Sequence, residues 1–380
     1  MSVVSNEGKH WDDYLNHIQE SDEIFKPRKK EMFQAISAFK ELLGQNWLES
    51  ALKLNHPLYW ELRAIHGAAN HSMILKWGLA LNLLQKSSGF DDLLKRIKSK
   101  NQFYSVMPEL ELAYRLKKNG AKVIFNPNFE GKHPDILCKF NNSQMFFEAK
   151  GIGSANRTNR ANITIAKLSA HSKIPIHPCG KVFKILDGKE LEECAKIVEQ
   201  KCEEAIQKNT GVECFIPNQV KFYFVPDSVK NKTELYKKWC NKQKFFEGIY
   251  YGGLLYPNDR VQQERRVKQR LQQITKDKQL PDGGIVFLAS TEFYLSDFNN
   301  VTKMINMIRS NGKKFPNISV IILYCWIFGF DNEKNIVVKD NDHVIRTTYS
   351  YDDLREDMLI IKNNFSSNNV DLEMLVKLVK

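Results

Sequence analysis

HPDILCKFNNSQMFFEAK, residues 133–150, reads as two strands joined by a tight turn. Asn141, Asn142 and Ser143 are turn residues, and the runs on either side are rich in apolar, β-prone side chains. With Asn141 and Asn142 as a two-residue turn, Phe140 pairs with Ser143 and Asp135 falls opposite Glu148. Side chains opposed in this way have Cβ atoms about 4.5–5.5 Å apart on one face of the sheet. Alternation puts Lys150 on that same face, while Phe147 and Ala149 point to the other.

Two carboxylates face to face repel, and their neighbours Ile136, Leu137, Met145, Phe146 and Phe147 are apolar. Such a pair needs a cation, a shared proton or a hydrogen-bond network. Hard oxygen ligands suit Mg²⁺ or Mn²⁺, with water and a substrate phosphate completing the octahedron. Lys150 beside them favours an anionic ligand in front of the metal over a simple acid dyad. Upstream, PELELAYRLKKNG (108–120) predicts a helix with Pro108 in its first turn and Gly120 at its C-terminal end. Glu109, Ala113, Leu116 and Gly120 share one face of that helix. The face must pack on the sheet, which aims Glu109 at the strands. Glu111 points to the opposite side and is the second choice.

The run Glu109 … His133-Pro134-Asp135 … Glu148-Ala149-Lys150 resembles the PD-(D/E)xK nuclease superfamily, with its restriction-endonuclease-like and Holliday-junction-resolvase-like folds. Each short motif is unspecific: Pro-Asp recurs at 226–227 and 281–282, and Glu-x-Lys at Glu7–Lys9 and Glu130–Lys132. The conjunction carries the likeness: Pro-Asp opening one strand, Glu-x-Lys ending the next, and a helical Glu upstream. It covers residues 105–150, and 189–227 more loosely.

The resemblance implies an α/β fold with an α-β-β-β-α-β mixed-sheet core, and a Mg²⁺-dependent (or Mn²⁺-dependent) endonuclease hydrolysing DNA. By it, Asp135, Glu148 and the Ala149 backbone carbonyl ligate the metal. Lys150 positions or activates the attacking water and offsets charge growing on the phosphate. Glu109 holds a second metal or an outer-shell water. Restriction, phage defence or mobile-element processing is the implied role, carried out as a homo-oligomer or with protein partners. DNA is favoured over RNA by the family's habits alone.

A long basic insertion, 151–188, departs from the family pattern. It contains Arg157, Arg160, Lys167 and Lys173, and is either a surface loop or a basic surface beside the scissile phosphate. The polar helix predicted over 261–279 carries Arg265 and Arg266, and is either a solvated face or lies along a phosphate backbone.

Around this core the chain divides into a helical region at 1–104, the nuclease core at 105–228 and an α/β extension at 229–380 able to continue the core sheet. Strands predicted at 219–227, 285–290 and 318–328 alternate with helices at 189–209, 261–279 and 300–310, the pattern of an α/β sheet with helices on its faces. The 56 Lys and Arg against 44 Asp and Glu leave a net charge of +12, which favours polyanionic partners. The 42% hydrophobic content excludes a mainly disordered chain. Seven cysteines with no CxxC pair exclude zinc-finger spacing. No GxGxxG, Walker A, HExxH or GxSxG motif is present. The polar N-terminus, and the lack of an apolar run near the ~20 residues a membrane span needs, predict a cytoplasmic protein with no membrane contact. Two alternatives stay open. One is a non-cleaving nucleic-acid-binding or assembly protein that keeps the nuclease fold. The other is a small-molecule enzyme in which Asp135 and Glu148 are unrelated acids.

Overall fold

Residues 285–289 and 318–325 are apolar at nearly every position, the pattern of strands buried on both faces. In the computed structural model they form the middle of an eight-stranded sheet. Its spatial order is β1 (Lys122–Phe125), β2 (Ile136–Phe140), β3 (Ser143–Gly151), β8 (Gly284–Ala289), β9 (Ile318–Phe328), β12 (Leu354–Lys362), β11 (Val344–Tyr351) and β10 (Val338–Asp340), strands being numbered along the chain. The β3–β8 and β8–β9 pairs are parallel and the others antiparallel, so the sheet is mixed. The structure describes residues 10–20, 28–63, 68–152, 163–165, 167–169, 171, 178–226, 228–243, 249–251, 259–290, 298–328, 338–340, 344–351, 354–366, 368 and 370–379.

Both faces of the sheet are covered. Phe147, Ala149, Ile285, Phe287, Val320 and Ile322 project to one side, into a core shared with the N-terminal helices. Those helices are α1 (Trp11–Glu20), α2 (Lys29–Leu43), α3 (Trp47–Lys53), α4 (Pro57–Arg63), α5 (Ala68–Leu84), α6 (Phe90–Lys98) and α7 (Phe103–Lys118). Val286, Leu288, Ile321 and Leu323 alternate with them and meet a second core. There they pack on Val267, Leu271 and Ile274 of one helix (Asp259–Asp277) and on Val301, Met304 and Ile308 of another (Phe298–Asn311). This is an α/β architecture with helices on both faces. The last helix, Leu372–Val379, is tied down at its C-terminal carbonyls: Arg115 Nη1 donates to Val379 O at 3.0 Å and Asn119 Nδ2 to Leu378 O at 3.0 Å.

By contact density the chain forms two units, 1–153 with 263–380, and 154–262. The division differs from the boundaries expected at 104/105 and 228/229. The helices before residue 104 share one continuous core with the sheet rather than standing apart. Residues 189–227, expected to continue the core, belong to the second unit instead. That unit has its own four-stranded antiparallel sheet in the order β5 (Val212–Ile216), β6 (Val220–Phe224), β4 (Cys179–Val182), β7 (Ile249–Tyr251). Helix α8 (Gly188–Lys208) buries Leu191, Val198 and Cys202 against it, and α9 (Lys232–Gln243) packs Tyr236, Trp239 and Cys240 near Cys179. The helices Asp259–Asp277 and Phe298–Asn311 are α10 and α11, and Leu372–Val379 is α12. With 154–262 set aside, the core runs α7, β1, β2, β3, α10, β8 along the chain, with β8 parallel to β3.

Among the described residues no helix is long and apolar enough to cross a membrane.

Candidate active site

The β2–β3 hairpin has the expected register: Ile136 pairs with Phe147 and Phe140 with Ser143. Asn141 takes the left-handed turn conformation (φ 52°), which Asn tolerates better than most residues. Asp135 stands just ahead of β2, level with Glu148. Its backbone carbonyl accepts from Asn126 N at 2.9 Å, and its Oδ2 from Ala149 N at 2.8 Å. The carboxylate is therefore fixed at both ends of the residue.

Lys150 closes the group. Its Nζ lies 2.9 Å from Asp135 Oδ2, 3.2 Å from Asp135 Oδ1 and 2.8 Å from Glu148 Oε1. Burial alone would lower the ammonium's pKa, but Asp135 and Glu148 outweigh it and hold it raised, so Lys150 is firmly charged. Glu148 is pushed up from 4.5 to about 6, by burial first and by the Asp135 charge second, against the pull of Lys150. Its Oε2 is buried with no hydrogen-bond partner.

Glu109 comes from α7, which starts at Phe103, earlier than expected. Phe103, Val106 and Met107 are buried in the core with the N-terminal helices, and that packing carries the helix past Pro108, which lies in its interior. The side chain of Glu109 is buried and is held by a guanidinium. Arg96, in the last turn of α6, donates Nη1 to Oε1 at 2.6 Å and Nη2 to Oε2 at 2.7 Å. Burial and then the Asp135 charge raise Glu109 to about 7, against the opposing effect of Arg96. Glu111 leaves the opposite side of α7, as expected, and pairs with Lys76 at 2.6 Å and Arg115 at 2.7 Å.

The structure thus brings Asp135, Glu148 and Lys150 into direct contact, with Glu109 within electrostatic reach of Asp135 and Lys150. Ala149 contributes its backbone N–H to Asp135. The group adds Arg96, which the sequence did not single out. The usable signal was the short link between α6 and α7, which folds them into a helical hairpin and sets the end of one beside the start of the other.

The expected nucleic-acid contacts fare differently. Lys167 is not at the surface: it is buried, donates to Leu186 O at 3.2 Å and pairs with Asp187. Its charge is used inside its own unit, and it leaves the set of expected phosphate contacts. Arg157, Arg160 and Lys173 lie outside the described residues. Arg265 is exposed and Arg266 half-buried on α10, beside the buried Val267 of the same helix.

The residues fit one hard divalent ion. Asp135 and Glu148 face each other, and the unpartnered Glu148 Oε2 is an acceptor that a cation would satisfy. Mg²⁺ commonly takes only one or two protein carboxylates and keeps its waters. Among the described residues no three His, Cys, Asp or Glu side chains are grouped closely enough to hold a metal by themselves. Set against family models, curated proteins and solved structures, the chain matches none of them.

Proposed function

We propose that this chain is a Mg²⁺- or Mn²⁺-dependent phosphodiesterase of the PD-(D/E)xK kind, an endonuclease acting on DNA. The observation that carries the proposal is Lys150 Nζ between the Asp135 and Glu148 carboxylates at the mouth of the β2–β3 hairpin. The core order α7, β1, β2, β3, α10, β8 supports the restriction-endonuclease-like fold. Asp135, Glu148 and the Ala149 carbonyl would hold the ion. When bound there, it acidifies a coordinated water and screens the charge of the phosphate.

The chain's own residues do the rest. The Ala149 N–H fixes the Asp135 carboxylate, so one of its oxygens is already aimed before anything binds. Lys150 is held as an ammonium, so it donates hydrogen bonds rather than taking a proton. It orients the attacking water and offsets the negative charge that grows on the phosphate oxygens. The exposed Arg265 and the net charge of +12 favour a polyanionic substrate. Restriction, phage defence and mobile-element processing are the roles that suit such an enzyme.

Incubation of the purified chain with plasmid in Mg²⁺ or Mn²⁺, beside Asp135→Asn and Lys150→Met, tests the proposal. Cleavage by wild type that is blocked by chelator and lost in both variants is the expected result. Cutting by Asp135→Asn would overturn it. Binding of DNA with no cutting in either metal would favour the non-cleaving nucleic-acid-binding protein.

A further inference from the structure

Glu109 and Arg96 are the part of the site that the hydrolase proposal leaves without a task. A carboxylate at that place on the helix invites a second metal ion, and the geometry argues against one. Both Glu109 oxygens already accept from a guanidinium, at 2.6 and 2.7 Å, in a bidentate end-on fork, one of the strong pairings of Arg with a carboxylate. A divalent ion on the same oxygens would sit against a fixed positive charge. No third ligand-type side chain completes a cage there among the described residues.

Arg96 also has capacity left. A guanidinium carries five N–H groups. One is used on Asp92, whose Oδ2 is 3.2 Å from Nε, and two on Glu109. The side chain is 25% exposed, so part of it reaches solvent. It is close enough to Asp135 for the two charges to interact. The two spare N–H groups, one on each terminal nitrogen, are held in place by the buried carboxylate and can donate to a phosphate oxygen.

We infer that the site takes a single divalent ion, at Asp135 and Glu148, and that Arg96 stands in for a second: Glu109 is a positioning residue that holds Arg96, whose spare N–H groups bind a non-bridging oxygen of the substrate phosphodiester. The inference rests on the hydrolase proposal and adds to it the count of ions and a substrate-binding residue outside the hairpin.

The test counts Mn²⁺ bound per chain, by calorimetry and by electron paramagnetic resonance, on the full-length protein. Wild type binds one ion. Glu109→Gln, which keeps a hydrogen-bonding partner for Arg96, still binds one with little change in affinity, and Asp135→Asn binds none. The double variant Arg96→Gln with Glu109→Gln replaces the ion pair by two amides, avoids leaving a buried charge alone, and still binds one ion. Its kcat/KM on DNA falls by about 10²–10³-fold, the usual loss for a charge-stabilising donor. Arg96→Lys, which keeps the charge without the fork, falls between that variant and wild type. Two ions in wild type, one of them lost in Glu109→Gln, would overturn the inference and leave the hydrolase proposal standing. Full cleavage by the double variant would overturn it too. No ion bound by wild type would bring down both.

Discussion

Glu109 and Glu111 leave the same helix two positions apart and end in two buried charge clusters of opposite character. Glu111 joins Lys76, Arg115, Tyr324 and Glu356, where two bases meet two acids and a hydroxyl. Burial alone would raise the Glu356 carboxyl, but Arg115 and Lys76 outweigh it and hold it well below the usual carboxylate range. Glu109 joins Arg96, Asp135, Glu148 and Lys150, where three acids meet two bases. There the carboxyls of Glu109 and Glu148 are pushed up, and one Glu148 oxygen has no partner. A buried ion is tolerated when it is paired and hydrogen-bonded. The first cluster meets that condition by itself and ties α5, α7, β9 and β12 together. The second sets three acids against two bases, the imbalance that goes with the raised carboxyls of Glu109 and Glu148.

The contrast breaks most readily at Arg115. Arg115→Met removes the base between two buried carboxylates and leaves Glu111 and Glu356 with Lys76 alone. Urea unfolding should show a loss of about 3–5 kcal/mol, the usual cost of breaking a buried pair from one side. A loss under about 1 kcal/mol would mean that the network carries no structural load. At Glu148 the effects should be reversed. Glu148→Gln should lower kcat/KM by about 10²–10³-fold while leaving unfolding stability unchanged or higher, because burial and the Asp135 charge disfavour the charge removed. A large loss of stability in that variant would move the hairpin cluster into the structural class.

The two clusters also predict pH profiles of opposite sign. Folded Glu148 binds its proton up to about pH 6 and folded Glu109 up to about pH 7, against 4.5 for each in the unfolded chain. Between those values the folded state holds more protons, so this cluster makes stability fall as pH rises from 4.5 to about 7. Glu356 is depressed, so its contribution is present above 4.5 and is lost as pH falls below that value. Urea titrations in chelator, at about pH 5 and about pH 7.5, measure the first effect. Glu148→Gln should remove on the order of 1 kcal/mol of that fall, one pKa unit being about 1.4 kcal/mol and pH 5 already lying above the unfolded value of 4.5. An unchanged profile would show that Glu148 ionises normally.

The hairpin was readable from the chain because both of its determinants are local. The Asn141–Asn142 turn sets the register, and period-two alternation sets the faces of Glu148 and Lys150. The direction of Glu109 followed from one helical face. Arg96 could not be found this way, since its partner belongs to the next helix and depends on how two elements dock. Lys167 read as one more basic residue of an insertion, and its burial depends on Asp187, well along the chain. Residues 189–227 were placed in the core because a helix followed by a strand suits any α/β sheet. The better clue lay in the strands. QVKFYF alternates and suits a sheet with one open face, whereas 285–289 and 320–325 are continuous runs suited to the parallel centre. The strands Val338–Asp340, Val344–Tyr351 and Leu354–Lys362 were not anticipated at all, the first two being largely polar and the apolar part of the last being short.

The smallest effect sharpens the contrast within a single residue. Arg96 is gripped on both sides, by Glu109 from the interior and by Asp92 from the solvent. The Asp92 contact is an i,i+4 pair at 3.2 Å with an acid side chain 53% exposed. Water screens it, and such pairs contribute about 0.3–0.5 kcal/mol. Asp92→Asn should therefore cost no more than that in urea unfolding and leave Mn²⁺ binding as it was. Glu109→Ala, by contrast, removes the buried grip and should release the guanidinium to solvent. If Asp92→Asn weakened the protein as much as Glu109→Ala does, Arg96 would be held by the surface pair. The fork at Glu109 would then be a consequence of packing rather than the device that presents Arg96 to a phosphate.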